Sequence, residues 1–186
     1  MRAPIRWSSF LLGLAAGAAV WWAAQELPYL NWRPIVVPLA NTPLVIREDA
    51  KGNGRFGAPR SGNRSHQGVD LLAPVGAPVR AIRSGRVFVS SAHRGLGRYV
   101  ELEHSGGLRS LYAHLDETGV KAGERIRQGQ VIGSVGKTGN ARHPLIQPHL
   151  HLEILREGQP VDPASLGLVF VESTAPTEHP DARGGQ

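Results

Sequence analysis

The chain has 186 residues, a formal net charge of +6, 41% hydrophobic residues, 23 glycines, 14 prolines and no cysteine. Without cysteine, disulfides, thiolate nucleophiles, thiolate zinc sites and iron–sulfur clusters are excluded, so any metal must be held by His, Asp or Glu. The length suits one folded domain plus extensions, and a basic surface whose only lysines are Lys51, Lys121 and Lys137 favours anionic partners: nucleic acid, acidic lipid or an anionic polymer.

The first predicted element runs from Trp7 to Ala24, 18 consecutive residues without a formal charge. As a helix it reaches about 27 Å, close to the roughly 30 Å of a bilayer core. Arg2 and Arg6 precede it, and no Lys or Arg follows until Arg33. The positive-inside rule places the N-terminus in the cytoplasm and everything after Gln25 outside. Residues 1–25 therefore read as an uncleaved membrane anchor, with the rest of the chain outside the cytoplasm. A cleaved signal peptide is the alternative; the bulky Trp21 and Trp22 argue against it. Residues 26–55 read as a linker or wrapping arm, apolar but aperiodic and punctuated by Pro28, Pro34 and Pro38, with a turn signal at Lys51-Gly52-Asn53-Gly54. Between 56 and 168, short strands alternate with turns: Val79–Ala81, Arg86–Ser90, Tyr99–Glu103, Leu108–His114, Gln130–Val135 and His149–Leu155. That spacing predicts an all-β sandwich or barrel. Residues 169–186 are expected to form a disordered tail.

Several motif matches are discarded. Ser134-x-x-Lys137 and Lys137-Thr138-Gly139 match two pieces of the penicillin-binding-protein set, but those pieces lie far apart there and overlap here in one Gly-rich turn. A P-loop would need a glycine where Val131 stands, and no G-x-S-x-G occurs. Neither a recognition helix nor an aromatic stacking motif supports nucleic-acid binding.

The histidines carry a pattern. In His149-Leu150-His151-Leu152-Glu153-Ile154, alternation puts both histidines on one face of a strand and the aliphatic residues on the other. Such a pair supplies one metal ligand and one adjacent base, or two ligands. In His66-Gln67-Gly68-Val69-Asp70, an extended backbone puts His66 and Asp70 on the same face, with Gly68 leaving room between them. Imidazole plus carboxylate suits Zn²⁺. Tyr112 and His114 share a face on a third strand. Together these give three ligands (His66, Asp70 and one of the last pair) and spare histidines; three protein ligands with an open fourth position is the pattern of catalytic zinc. His93, His104, His143 and His179 fall in turns, loops or the tail.

At this point the sequence resembles the LytM/lysostaphin-type zinc metallopeptidases, the M23 family of peptidoglycan endopeptidases. The resemblance runs from about Phe56 to Leu166, in order: Phe56-Gly57-x-Pro59-Arg60, His66-x-Gly68-x-Asp70, Ala73-Pro74-x-Gly76-x-Pro78-Val79, Gly85-x-Val87, Tyr112-x-His114-Leu115, Gly123-x-x-Ile126-x-x-Gly129-x-x-Ile132-Gly133 and Pro148-His149-Leu150-His151-x-Glu153. It implies an antiparallel β-sandwich with a groove over one sheet. It implies Zn²⁺ on His66, Asp70 and His151, with His149 as general base and His114 stabilising the oxyanion. The implied reaction is hydrolysis of peptide bonds in peptidoglycan stem peptides or cross-links. The loop Asn140–Gln147 has its own sequence, and no wall-binding module is seen. Some relatives that lack zinc ligands act only as activators of amidases; all five expected positions are present here. The activator reading then requires a covering segment, such as the arm over Glu26–Arg47, or a regulatory partner. A carrier-domain reading of Gly123–Gly133 with Lys137 as attachment site fails on the flanks of that lysine.

Overall fold

The computed structural model describes residues 17–173 except 25, 30, 32 and 41. The anchor expected over Trp7–Ala24 lies outside the described residues as far as position 16; residues 17–24 are helical. No helix among the described residues is long and apolar enough to cross a membrane. Leu27–Tyr29 is a 3₁₀ turn.

Beyond it the regular structure is β apart from two 3₁₀ turns, Gly139–Arg142 and Pro163–Leu166. The strands are β1 (Leu44–Ile46), β2 (Glu48–Asp49), β3 (Gly52–Asn53), β4 (Pro59–Arg60), β5 (Arg64–Ser65), β6 (Gly68–Leu72), β7 (Pro78–Arg80) and β8 (Gly85–His93). They continue with β9 (Gly97–Glu103), β10 (Leu108–Thr118), β11 (Arg125–Ile126), β12 (Val131–Val135), β13 (His149–Arg156), β14 (Gln159–Val161) and β15 (Phe170–Glu172). One large sheet has the order β11-β8-β9-β10-β13-β6-β1-β15, with β12 joining β10 to β7 and β14 added to β13; β2–β3 and β4–β5 are separate hairpins.

Alternation builds the core. Val69 and Leu71 of β6, Val100 and Leu102 of β9, and Leu150, Leu152 and Ile154 of β13 all point inward and are essentially inaccessible to solvent. Each buried aliphatic side chain of this kind stabilises the fold by about 1.5–3 kcal/mol. The opposite faces of β6 and β13 carry Asp70, His149 and His151. In the antiparallel register His151 stands opposite Asp70, and Glu153 opposite Gly68.

That register explains Gly68. A Cβ there would lie 2.3 Å from the Leu152 carbonyl oxygen, well inside any real contact. Gly68→Ala is expected to push β6 off β13 and cost about 1–3 kcal/mol, as overpacking does. Denaturant unfolding checks this, and a zinc titration should show weaker binding because Asp70 moves with β6.

The segment read as an arm is part of the fold. Leu39 is fully buried, Val36 N donates to the Ile82 carbonyl and Arg80 N to the Pro38 carbonyl. The Asn31 amide pairs with the Ser84 backbone, and Glu26 with Arg125. These contacts keep Glu26, Asn31, Val36 and Pro38 along the Arg80–Ser84 turn and Arg125, away from His66, His149 and His151. Leu44 and Ile46 of β1 are buried and pair on one side with β6 and on the other, in parallel, with β15. The expected tail from residue 169 therefore begins as a sheet strand, because Leu168 is buried and Phe170 packs on the core. Residues 174–186 lie outside the described residues.

Candidate metal and catalytic site

Three polar atoms converge beneath the β6–β13 ladder. His66 Nε2 lies 3.0 Å from His151 Nδ1, His151 Nδ1 lies 2.8 Å from Asp70 Oδ1, and Asp70 Oδ1 lies 3.2 Å from His66 Nε2. All three residues are buried and form a possible metal-ligand group. Zinc bonds of about 2.0–2.2 Å set the ligand atoms of a tetrahedral site roughly 3.3 Å apart. The triangle matches one face of such a site, slightly contracted. Two imidazoles and one carboxylate, with no thiolate in the chain, are a donor set that fits Zn²⁺.

Each ligand atom is aimed by a second bond. His66 Nδ1 donates to the Arg55 carbonyl at 2.8 Å, which turns Nε2 towards the triangle. On its far side His151 Nε2 meets Glu153 Oε1 at 2.9 Å, the carboxylate–histidine pairing that orients metal-bound imidazoles. The outer oxygen of Asp70, Oδ2, accepts from Arg47 Nη2 at 2.9 Å and pairs with Arg60 Nη2 at 3.4 Å. The two arginines thus leave Oδ1 as the oxygen offered to a metal.

The electrostatics follow from these contacts. Burial opposes ionisation of Asp70, but hydrogen bonds from His151 and His66 outweigh it and hold the carboxyl well below its ordinary range. Burial likewise opposes a charged His151, yet its bonds to Asp70 and Glu153 raise it to about 9. In the metal-free protein that raised value stabilises the fold fully below the ordinary histidine value, and the contribution fades as pH rises through about 9. Zinc must displace the same proton. Binding near pH 7.5 is therefore expected to release about one proton per ion. Calorimetry in two buffers of different ionisation enthalpy counts it; a count of zero would show His151 already neutral.

Two further histidines flank the triangle. His149 Nε2 is 3.8 Å from Asp70 Oδ1, and its Nδ1 donates to the Gln147 carbonyl at 2.7 Å. Burial lowers its pKa, more than Asp70 and the Gln147 carbonyl raise it. The His114 ring centroid lies 4.9 Å from that of His149 and 5.7 Å from that of His151. Its Nδ1 donates to the Thr138 carbonyl at 3.0 Å. Burial and then the neighbouring His149 and His151 lower its pKa to about 3. A carbonyl only accepts, so both rings carry their proton on Nδ1 when neutral and both present Nε2 as an acceptor.

His114 reaches the site by breaking the strand rule. Tyr112 stands opposite Leu152 in the core, and Ala113 stands opposite His151. Regular alternation would return His114 to the core face with Tyr112. Its φ of 62° turns it back, and the β9–β10 register slips between Tyr112 and Leu115 at the same place. A non-glycine residue in this region costs on the order of 1–3 kcal/mol and is typical of functional positions. The shared face expected for Tyr112 and His114 is thus absent: the Tyr112 hydroxyl accepts from Ile82 N and Ser110 Oγ in the core.

Other histidines stay apart. His104 is buried, but it bonds the Ser84 carbonyl and Ser110 Oγ. His93 and His143 are exposed, and His179 lies outside the described residues. Arg47, Asp49, Arg60 and the partner role of Glu153 were not foreseen. Glu153 left a signal as the third polar residue of the alternating strand, and Arg60 as the end of the Phe56-Gly57-x-Pro59-Arg60 motif, whereas Arg47 and Asp49 left none.

Comparison with known proteins agrees with this geometry. Residues 64–163 match Peptidase family M23. The chain is 41% identical over 111 residues to the DD-carboxypeptidase/endopeptidase Mpg of Neisseria meningitidis, covering 60% of this chain and 25% of that protein. It is 38% identical over 108 residues to the peptidoglycan DD-endopeptidase ShyB of Vibrio cholerae, covering 58% and 24%. The alignment thus spans about a quarter of the length of each of these two relatives. A crystal structure of a zinc-containing peptidase from Vibrio cholerae superposes with a TM-score of 0.57 at 31% identity, covering 69% of this chain and 39% of that one. The matched stretch holds His66, Asp70, His114, His149 and His151 on one β-scaffold, and the chain belongs to the M23 family of metallopeptidases.

Proposed function

We propose that the chain is a zinc-dependent endopeptidase acting on peptide bonds in peptidoglycan stem peptides or cross-links. The observation that carries this reading is the three-atom triangle of His66 Nε2, Asp70 Oδ1 and His151 Nδ1 with two acceptor histidines beside it. When bound there, zinc supplies a Lewis acid that polarises the scissile carbonyl and acidifies a water.

The protein's own groups supply the proton handling. His149 Nε2 takes a proton from the attacking water and later returns it to the leaving nitrogen. His114 Nε2 accepts a hydrogen bond from the same water and orients it. The resemblance implies an oxyanion role for His114; its Thr138-bound tautomer cannot donate from Nε2 while neutral, so we assign it to positioning the water instead. The substrate class is supported by charge. Beside His114 a cavity of about 460 Å³ is lined by Arg94, Arg98 and Arg142, together with Thr138, whose carbonyl holds the His114 ring. Such a cavity suits a peptide bearing free carboxylates, as the wall polymer does.

We propose that the unit acts outside the cytoplasmic membrane, held by the N-terminal segment. Support comes from the apolar Trp7–Ala24 run and from the exposed Val20, Trp21 and Trp22 in its described part. Mass analysis of purified peptidoglycan treated with the zinc-loaded chain tests the function. Peptides cut with the gain of one water, lost on chelation, are the expected result. No cleavage alone, with stimulation of an added amidase, would establish the activator reading instead.

A further inference from the structure

We propose that Asp49 is a positioning residue that ties the metal-ligand carboxylate to the histidine base, and that the segment 44–54 therefore belongs to the catalytic unit. The inference rests on the reading of Asp70 as ligand and His149 as base. It begins from a continuous set of short contacts. Arg47 Nη2 donates to Asp70 Oδ2 at 2.9 Å, and Arg47 Nη1 lies 2.6 Å from Asp49 Oδ1. The other oxygen of Asp49 accepts from Gln147 N at 3.0 Å. The Gln147 carbonyl in turn accepts from His149 Nδ1 at 2.7 Å.

The link is buried where it matters: the side chains of Arg47 and Asp49 are 5% and 6% exposed. Burial opposes ionisation of Asp49, but bonds from Arg47 and from the Gln147 and Lys51 amides hold its carboxyl below the ordinary value. An ionised Asp49 between a guanidinium and a peptide amide is a fixed strut, because each of its oxygens is committed. The backbone reinforces it. Arg47 N donates to the Asp70 carbonyl, Gly54 N to the Arg47 carbonyl, and Asp70 N to the Gly54 carbonyl, each at 2.8 Å.

The consequence is mechanical. The Gln147 carbonyl selects the Nδ1–H tautomer of His149, which leaves Nε2 free as a base. Gln147 sits at the end of the Asn140–Gln147 loop, and Asp49 is what its amide bonds. Arg47 and Asp49 both lie outside the stretch 64–163 that matches the family.

The test uses the zinc-loaded full chain with ¹⁵N-labelled histidine. Asp49→Ala is expected to keep one zinc per chain but to mix the two tautomers of His149 in the NMR spectrum. Its kcat on peptidoglycan peptides should fall about 10–100-fold, as for other outer partners of metal sites, with KM unchanged. Asp49→Asn keeps one acceptor for the Gln147 amide but turns an N–H towards Arg47, so it should hold the single tautomer better than the Ala variant and recover only part of kcat. Should Asp49→Ala fail to fold, Asp49→Ser, a residue suited to this turn but too short to reach Gln147, replaces it. A folded Ala or Ser variant with the wild-type tautomer and kcat overturns the proposal, and so does an Asn variant as impaired as the Ala one. If the wild-type chain cleaves no peptide, the proposed function fails, while the tautomer still decides the strut.

Discussion

Asp70→Ala is expected to leave the chain without zinc and without hydrolytic activity. Asp70 joins everything in the site: Oδ1 meets both ligand histidines, and Oδ2 meets Arg47 and Arg60. Removing it deletes one of three metal ligands and strips the buried Arg47 of one of its two carboxylates. Breaking a buried pair in this way costs about 3–5 kcal/mol, because the remaining charge stays desolvated. The variant is thus expected to melt earlier than the wild type. Its melting temperature should also stop responding to zinc or chelator, whereas wild-type stability rises with free metal as linkage requires. His66→Ala separates the two effects. It removes a ligand but leaves the Arg47–Asp70 pair, so it should lose the metal with a smaller loss of metal-free stability. Elemental analysis showing one zinc per chain in purified Asp70→Ala would refute the ligand assignment.

The parts of the site that alternate were legible in the sequence. His149, His151 and the aliphatic residues between them announce a two-faced strand, and His66 with Asp70 announces a second. Period 2 also located β9, which buries Val100 and Leu102 on one face, whereas β10 and β12 were marked by the turn residues around them. The same rule failed at His114, where a positive φ reverses the side-chain direction and lets β10 continue to Thr118 beyond the expected end. Nothing in a local period marks such a reversal. Arg47 and Asp49 were illegible for another reason: their partners Asp70 and Gln147 lie 23 and 98 residues away, and only the folded sheet joins them. The three-residue β1 is too short to show a period. It is specified by burial of Leu44 and Ile46 against strands far along the chain.

His149→Ala is expected to separate binding from chemistry. His149 is not one of the three clustered ligand atoms. Its Nε2 stands 3.8 Å from Asp70 Oδ1, outside the 2.8–3.2 Å triangle, and its Nδ1 is spent on the Gln147 carbonyl. Truncation therefore leaves His66, Asp70 and His151 in place, and the variant should still bind one zinc per chain. It loses the acceptor for the water proton. Positioned general bases contribute typically about 10²–10⁴ in rate, so kcat on peptidoglycan peptides should fall by that order with KM little changed. The two histidines beside the metal make this a discriminating result. If His114 could replace His149 as the base, His149→Ala would retain much of its activity and His114→Ala would be the more damaged variant. Burial and the two neighbouring imidazoles make His114 the poorer proton acceptor of the pair, with a pKa of about 3. The order of damage expected is therefore His149→Ala worse than His114→Ala, at equal zinc content; the reverse order, measured under saturating zinc, would exchange the two roles.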